Sequence, residues 1–121
     1  IDLNTGRMDY CNAGHNPPII NGKFMEMESN APIGLWSELD FIGEHIDSIK
    51  GCPLLIYSDG LNEAENYQQE QFGDDRLLQI MKDNDFKDAK HVINYLCDAV
   101  EKHRNGAAPN DDLTVMMLKV D

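Results

Sequence analysis

A chain of 121 residues predicts a single domain that is long enough to bury a core of its own. The hydrophobic fraction of 41% and the charged fraction of 26% are ordinary for folded proteins, so composition excludes disorder. The net charge of −12 argues against nucleic acid and anionic membrane surfaces as partners, because both attract Lys and Arg. The acidity predicts either a solvated surface or carboxylates that converge on a metal ion.

The three cysteines, Cys11, Cys52 and Cys97, form no CxxC pair, and their odd number predicts reduced thiols in a cytoplasmic protein. The four histidines lack the HxxxH and HExxH spacings of zinc sites. No apolar stretch approaches the ~20 residues that span a membrane. The chain begins at Ile1 without a methionine, so we expect a segment of a longer protein.

The first half of the chain carries strand and turn signals. Residues 4–7 predict a turn between extended runs at residues 1–3 and 8–13. Asn21-Gly22 predicts a tight hairpin between Ile19-Ile20 and residues 24–27, because both turn residues adopt positive φ readily.

Two further strands are predicted before the helices. Residues 40–46 alternate loosely between polar and apolar side chains and predict a strand. The continuous apolar run at residues 52–57 predicts a central strand buried on both faces. We interpret Trp36 and four methionines as core filling rather than a binding face: Met25, Met27, Met116 and Met117.

The hydrophobic period then becomes helical. Asp74 is the predicted N-cap of a helix with Leu77, Leu78 and Met81 on one face. A second helix is predicted from about Asp88 to His103, with Gly106 as its stop. Residues 113–120 are rich in β-formers and predict an inner strand. The order of several strands, two helices and one strand predicts an α+β domain in which helices flank antiparallel sheets.

Carboxylates stand at the ends of two of these strands. Asp59 follows the run at residues 52–57, and Asp111-Asp112 precedes the last strand. If the two strands are neighbours, Asp59 and Asp111 lie close together, where their mutual repulsion would favour a bound cation. Oxygen ligands of this kind suit Mg²⁺ and Mn²⁺. The alternative is ordinary turn chemistry, because Asp-Gly and Asp-Asp are common in loops.

Five segments, in the same order along the chain, resemble the motifs of one phosphatase family. They are NAGHNPP at residues 12–18, APIG at residues 31–34, YSDGLNEAEN at residues 57–66, FGDDRL at residues 72–77 and NDDLTV at residues 110–115. They are similar to motifs of bacterial type 2C (metal-dependent) serine/threonine protein phosphatases, in the branch of the sporulation stage IIE and RsbU-type enzymes. The resemblance spans nearly the whole chain.

The resemblance implies half of a β-sandwich of antiparallel sheets flanked by helices. It also implies a site for two Mn²⁺ or Mg²⁺ ions in the complete domain, where Asp59 and Asp111 would be metal ligands. No catalytic residue is expected beyond the metal site, which would activate water for in-line attack on phosphorus. Supporting roles around the ligands are expected for Gly60, Asp112, Glu63, Asn66 and His15.

Nothing in the sequence matches the GD-x-x-G motif with which the family's domain begins. We therefore expect residues 1–121 to be one domain segment, the C-terminal portion of the catalytic domain, and to be inactive alone. Apolar surface left uncovered would favour a homodimer.

The resemblance implies hydrolysis of phosphoserine or phosphothreonine on a regulatory protein, an anti-sigma-factor antagonist in bacterial partner-switching signal transduction. The alternative is a non-catalytic protein-interaction module on the same fold. An unrelated Ca²⁺-binding domain is disfavoured, because no D-x-[DN]-x-[DN]-G loop occurs.

Overall fold

The computed structural model describes residues 1–85 and 88–121. The strands and helices are, in chain order, β1 (Met8–Tyr10), β2 (Ile19–Ile20), β3 (Lys23–Phe24), β4 (Glu44–Ile46), β5 (Leu54–Tyr57), α1 (Asp59–Asn62), α2 (Asp74–Asp83), α3 (Ala89–Arg104) and β6 (Val115–Leu118). The predicted α+β class, antiparallel sheets flanked by helices, is confirmed. None of the described helices is long and apolar enough to cross a membrane.

The larger sheet has the strand order β3-β2-β5-β6, and β1 pairs with β4 in a second, two-stranded sheet. All of these pairs are antiparallel. The hairpin between β2 and β3 turns at Asn21 and Gly22, whose φ angles are 49° and 74°, as the Asn-Gly signal predicts. Strand β5 is central, also as predicted.

Alternate side chains of β5 belong to two different hydrophobic clusters, because successive residues of a strand point to opposite faces. Leu55 and Tyr57 face the helices, in a cluster that also contains Leu77, Leu96 and other fully buried residues. We call this the helix-covered face of the sheet.

The opposite face of β5 carries Leu54 and Ile56. Their cluster joins the two sheets through Met8 and Met25, together with partly buried neighbours. A cavity of about 230 Å³ lies among these residues, and we call this side the open face.

Helix α3 is close to its prediction. Asp88 is its N-cap, and its carboxylate accepts a hydrogen bond of 2.8 Å from the backbone N–H of His91. The helix ends at Arg104, its C-cap Asn105 adopts the left-handed conformation, and three basic residues occupy its last turn.

Several predicted elements are wrong in extent or place. Residues 1–3 form no strand, and Ile1 and Leu3 are exposed, because backbone hydrogen bonds between Asp2, Gly6 and Arg7 close a turn there. Strand β2 has its predicted extent, whereas β1, β3, β4, β5 and β6 are shorter than predicted. Strand β6 lies at the edge of the sheet, so it is not an inner strand.

Two assignments of side chains are also corrected. Trp36 and Met116 are exposed and do not fill the core, because Trp36 lies in a loop and Met116 lies on an edge strand. The N-cap of α2 is Gly73, with φ of 87°, and Asp74 is the first helical residue. The Asp74 carboxylate instead accepts hydrogen bonds from the side chains of Tyr57 and Asn62.

Candidate functional site

The C-terminal end of β5 and the N-terminal end of β6 lie side by side, because Tyr57 pairs with Val115 in the antiparallel register. Ser58 fastens the two ends together. Its N–H donates to the carbonyl of Thr114 at 2.9 Å, and its Oγ accepts from the Thr114 N–H at 2.9 Å. The same hydroxyl donates to the carbonyl of Asp112 at 3.2 Å. The loop before β6 is therefore held against the start of α1.

Gly60 makes this approach possible. A Cβ at Gly60 would lie 2.5 Å from the carbonyl carbon of Asp112 and 2.9 Å from the backbone nitrogen of Leu113, which no real side chain tolerates. The absence of a side chain lets the two backbones touch. The strand-end arrangement that the sequence predicts, with Asp59 and Asp111 on adjoining loops, is thus present.

Asp59 is the first residue of α1 and is exposed to solvent. Its carboxylate accepts a hydrogen bond of 2.5 Å from the side-chain amide of Asn16, which lies 43 positions earlier in the chain. Asn16 belongs to a loop that Asn12 closes, since the Asn12 side chain bonds both the N–H and the carbonyl of His15 at 2.8 Å. A preorganised loop therefore fixes the orientation of the Asp59 carboxylate.

Asp111 and Asp112 are both exposed. The Asp111 carboxylate accepts the N–H of Asp112 at 2.7 Å, while the side-chain amide of Asn110 donates to the carbonyl of Glu63 at 3.1 Å. In the described part of the chain, no Lys, Arg or His forms an ion pair with Asp59, Asp111 or Asp112. Among residues 1–85 and 88–121, these carboxylates thus have no cationic side chain as counter-charge.

The other predicted supporting residues lie around this loop pair. The Glu63 N–H donates to the carbonyl of Asp59 at 2.9 Å and closes α1. The Asn66 carboxamide oxygen accepts the N–H groups of Gln68 and Glu70 at 3.0 Å, so Asn66 shapes the turn that follows. The ring of His15 contacts the carbonyl of Asn16 through Nδ1 at 3.0 Å. His15 thus borders the loop that reaches Asp59.

Asn16 and Ser58 are site residues that the sequence interpretation missed. Both lie inside quoted motifs, but neither partner is near in sequence: Asn16 bonds Asp59, and Ser58 bonds residues more than 50 positions away. The spacing of a motif gives no sign of which distant side chain its polar residues will contact. The register of β5 with β6 brings Ser58 to its partners, whereas Asn16 reaches Asp59 from the loop before β2, the strand on the other side of β5.

Tyr57, the last residue of β5, lies on the helix-covered face next to the site. Burial raises the pKa of its phenol, and the nearby carboxylate of Asp74 raises that pKa further. The hydroxyl therefore stays protonated and donates to Asp74 at 3.4 Å, where Asn62 also donates at 3.0 Å. This network ties the last residue of β5 to the end of α1 and the start of α2.

The available donors are carboxylate oxygens, which are the kind of ligand that a hard divalent cation prefers. Their number is smaller than a complete ligand set. Within residues 1–85 and 88–121, no group of three or more His, Cys, Asp or Glu side chains is placed to hold a metal ion. Any ion bound here would need further ligands from water, substrate or other protein groups.

The sequence model of the family "Stage II sporulation protein E (SpoIIE)" matches residues 1–121, which is the whole chain. The chain belongs to the SpoIIE family. The resemblance to sporulation stage IIE and RsbU-type phosphatases is thereby confirmed.

Relatives of known name agree with this membership. The protein IcfG of Synechocystis sp. is 30% identical over 125 residues, which cover 98% of this chain and 19% of IcfG. The structure of the PP2C phosphatase domain and a regulatory-domain fragment of SpoIIE from Bacillus subtilis matches with a TM-score of 0.79 and 27% identity, over 100% of this chain and 37% of that one. Another SpoIIE phosphatase-domain structure, presoaked with Mn, has a TM-score of 0.73 and 27% identity, over 100% of this chain and 53% of that one.

The structure of the RsbU and RsbW domains of Rv1364c from Mycobacterium tuberculosis matches with a TM-score of 0.62 and 27% identity, over 97% of this chain and 33% of that one. This chain thus spans about a fifth of IcfG and between a third and about half of these matched SpoIIE and Rv1364c chains. The fold of the SpoIIE family is shown for this segment. The roles of Asp59, Asp111 and the supporting residues stay predictions.

Proposed function

We propose that this segment contributes to a metal-dependent phosphatase that hydrolyses phosphoserine or phosphothreonine on a regulatory protein. The observation that carries the proposal is the contact of Gly60 with the backbone of Asp112, which sets the loops of Asp59 and Asp111 side by side. Membership in a family with PP2C phosphatase domains supports the same activity. The phosphoprotein we propose is an anti-sigma-factor antagonist of partner-switching signalling.

In this proposal Asp59 and Asp111 each provide a carboxylate ligand to Mn²⁺ or Mg²⁺. Asn16 holds the Asp59 carboxylate in one orientation, and Ser58 keeps the loop of Asp112 in place. Bound divalent ions would supply an activated water and would neutralise charge on the phosphoryl oxygens. The segment provides too few clustered donors to complete such a site. We therefore expect residues 1–121 alone to be inactive.

The test is Mn²⁺-dependent hydrolysis of a phosphoserine peptide by the full-length protein, compared with D59N and D111N. Each substitution keeps the side-chain volume but removes the negative charge that would bind the cation. We expect kcat/KM of each variant to fall about 100-fold or more. Removing a group that only orients a metal ligand costs about 10- to 100-fold, and removing a ligand should cost at least as much.

D98N is the matched control, because Asp98 is an exposed carboxylate on α3, outside the candidate site. We expect D98N to retain the activity of the parent. If neither the parent nor D98N hydrolyses the peptide with any divalent metal, the phosphatase proposal is wrong. The non-catalytic interaction module then becomes the better interpretation.

A further inference from the structure

Residues 25–43 form a long loop between β3 and β4 that contains no helix or strand. Loops of this length are uncommon in compact domains and usually have a function. The side chain of Asn30 closes the loop at its base. It accepts the N–H of Ile42 at 2.9 Å and donates to the carbonyl of the same residue at 3.3 Å. Asn30 and Ile42 thus hold the two ends of the loop together, and we call residues 31–42 the projection.

This projection exposes an unusual amount of apolar side chain. Of the ten large hydrophobic residues that are exposed in the described part of the chain, five lie between residues 33 and 42, namely Ile33, Leu35, Trp36, Phe41 and Ile42. Trp36, for example, is 65% exposed. Single exposed apolar residues are normal, but a cluster of large ones marks a surface that another molecule covers.

The projection is joined to the candidate site. Its residue Pro32 packs directly on Gly14, where a Cβ would lie 2.7 Å from Pro32 Cγ. Gly14 precedes His15 and Asn16, and Asn16 donates to the Asp59 carboxylate. A molecule bound to the projection would therefore lie beside the loop that orients Asp59.

The charge of the loop indicates the kind of molecule that would bind. Residues 25–43 contain four acidic side chains, at Glu26, Glu28, Glu38 and Asp40, and no Lys, Arg or His. Complementary charge favours a basic partner. The same loop of a second copy is disfavoured as the partner, because it would bring the same four carboxylates and no cation.

We propose that residues 31–42 are a docking surface for a partner protein whose contacting surface combines basic and apolar side chains. This inference rests on the proposed function, because it identifies the docked partner as the phosphorylated substrate protein. The apolar side chains of the projection, Leu35 and Trp36 above all, supply contact area. The surrounding carboxylates select a basic surface. Docking here brings a phosphorylated residue of the partner next to Asp59.

The first experiment measures binding without catalysis. A fluorescently labelled, unphosphorylated peptide of Lys and Leu stands in for the partner surface, and a peptide with Glu in place of each Lys is its control. We expect the full-length protein to bind the Lys peptide more tightly than the Glu peptide in a fluorescence anisotropy titration. L35S/W36S should raise the Kd of the Lys peptide about tenfold, as for the loss of central apolar anchors.

L3S is the matched control, because Leu3 is also a leucine that is more than half exposed, outside this loop. We expect L3S to bind the Lys peptide as the parent does. If L3S weakens binding as much as L35S/W36S, or if neither does, the docking surface is wrong. It is also wrong if L35S/W36S unfolds the full-length protein at a lower temperature or converts a dimer to a monomer. Those results would show that the projection packs within the chain or against a second copy.

The second experiment separates this inference from the proposed function. The full-length protein is assayed with Mn²⁺ on the phosphoserine form of the Lys peptide and on p-nitrophenyl phosphate, a small substrate that has no basic side chain. We expect L35S/W36S to raise KM for the peptide about tenfold and to leave hydrolysis of p-nitrophenyl phosphate unchanged. Equal losses on both substrates would overturn the docking role. Absence of hydrolysis on both would overturn the phosphatase proposal, and the binding result would still decide whether the projection docks a basic surface.

Discussion

The two faces of the four-stranded sheet are packed very differently. On the helix-covered face, eight side chains from β2, β5, α1, α2 and α3 are at most 2% exposed to solvent: Ile19, Leu55, Tyr57, Leu61, Leu77, Val92, Leu96 and Val100. On the open face, the cluster contains five buried residues and borders a cavity of about 230 Å³. The same strand, β5, contributes to both.

This difference shows how the candidate site is held. The site lies where β5 ends and α1 begins with Asp59, so the packing of the helix-covered face fixes the position of the site. The open face supplies the Asn16 loop, since the cavity is lined by residues 11–13 and by His15 and Asn16. The prediction of a homodimer through uncovered apolar surface concerns this second face and stays a prediction.

The largest expected effect is on the helix-covered face. L77A removes a fully buried side chain from α2, where tight packing prevents collapse of the space left behind. We expect a loss of about 3 kcal/mol in the free energy of unfolding, measured by urea denaturation of the full-length protein. M25A on the open face should cost less, about 2 kcal/mol. Met25 already lines a cavity, so fewer contacts are lost. Equal losses would remove the distinction between the faces.

A substitution at Gly60 tests the contact between the start of α1 and the loop before β6. G60A adds a methyl group where the carbonyl of Asp112 already lies, so the loop before β6 must move. We expect a loss of about 2 kcal/mol in unfolding free energy, together with reduced Mn²⁺-dependent hydrolysis. G43A is the matched control, because a Cβ there would meet only the carbonyl of Tyr10 at 3.9 Å. Its stability should change by less than about 0.5 kcal/mol.

The smallest effect concerns pH. The fold raises the pKa of Tyr57, so the neutral phenol is favoured in the native state. The stabilisation is complete below the pKa of an unfolded tyrosine, about 10, and is lost as the pH rises above that value. We expect the unfolding free energy of the parent to fall more steeply between about pH 9.5 and 11 than that of Y57F. Parallel profiles for the two proteins would contradict this assignment.

Much of the helix-covered face could be predicted from the sequence. The i, i+4 spacing of Val92, Leu96 and Val100 identifies α3, and Asp88 is its N-cap. The apolar run at β5 identifies the central strand, because it is buried on both faces. These signals are local and agree with the final packing, so tertiary structure did not override them.

The remaining features depend on contacts that local patterns do not carry. Trp36 is apolar, but apolarity does not say whether a loop residue is covered. Asp74 resembles an N-cap, but Tyr57 and Asn62 engage its carboxylate after folding. Strand-end spacing predicts that the Asp59 and Asp111 loops adjoin. It could not predict the hydrogen bond from Asn16 to Asp59, since that pair is set by the meeting of distant loops.

The clamp that Ser58 forms with Thr114 and Asp112 has a consequence for insertions and deletions. Its three hydrogen bonds and the contact at Gly60 join two short segments atom by atom, so a single inserted residue would shift every partner out of reach. In the projection, the hydrogen bonds between Asn30 and Ile42 join the two ends of the loop. Residues can be added or removed between those ends at little cost in free energy. Among relatives of this chain, gaps should therefore collect between residues 33 and 41 and be rare at residues 58–62 and 110–114.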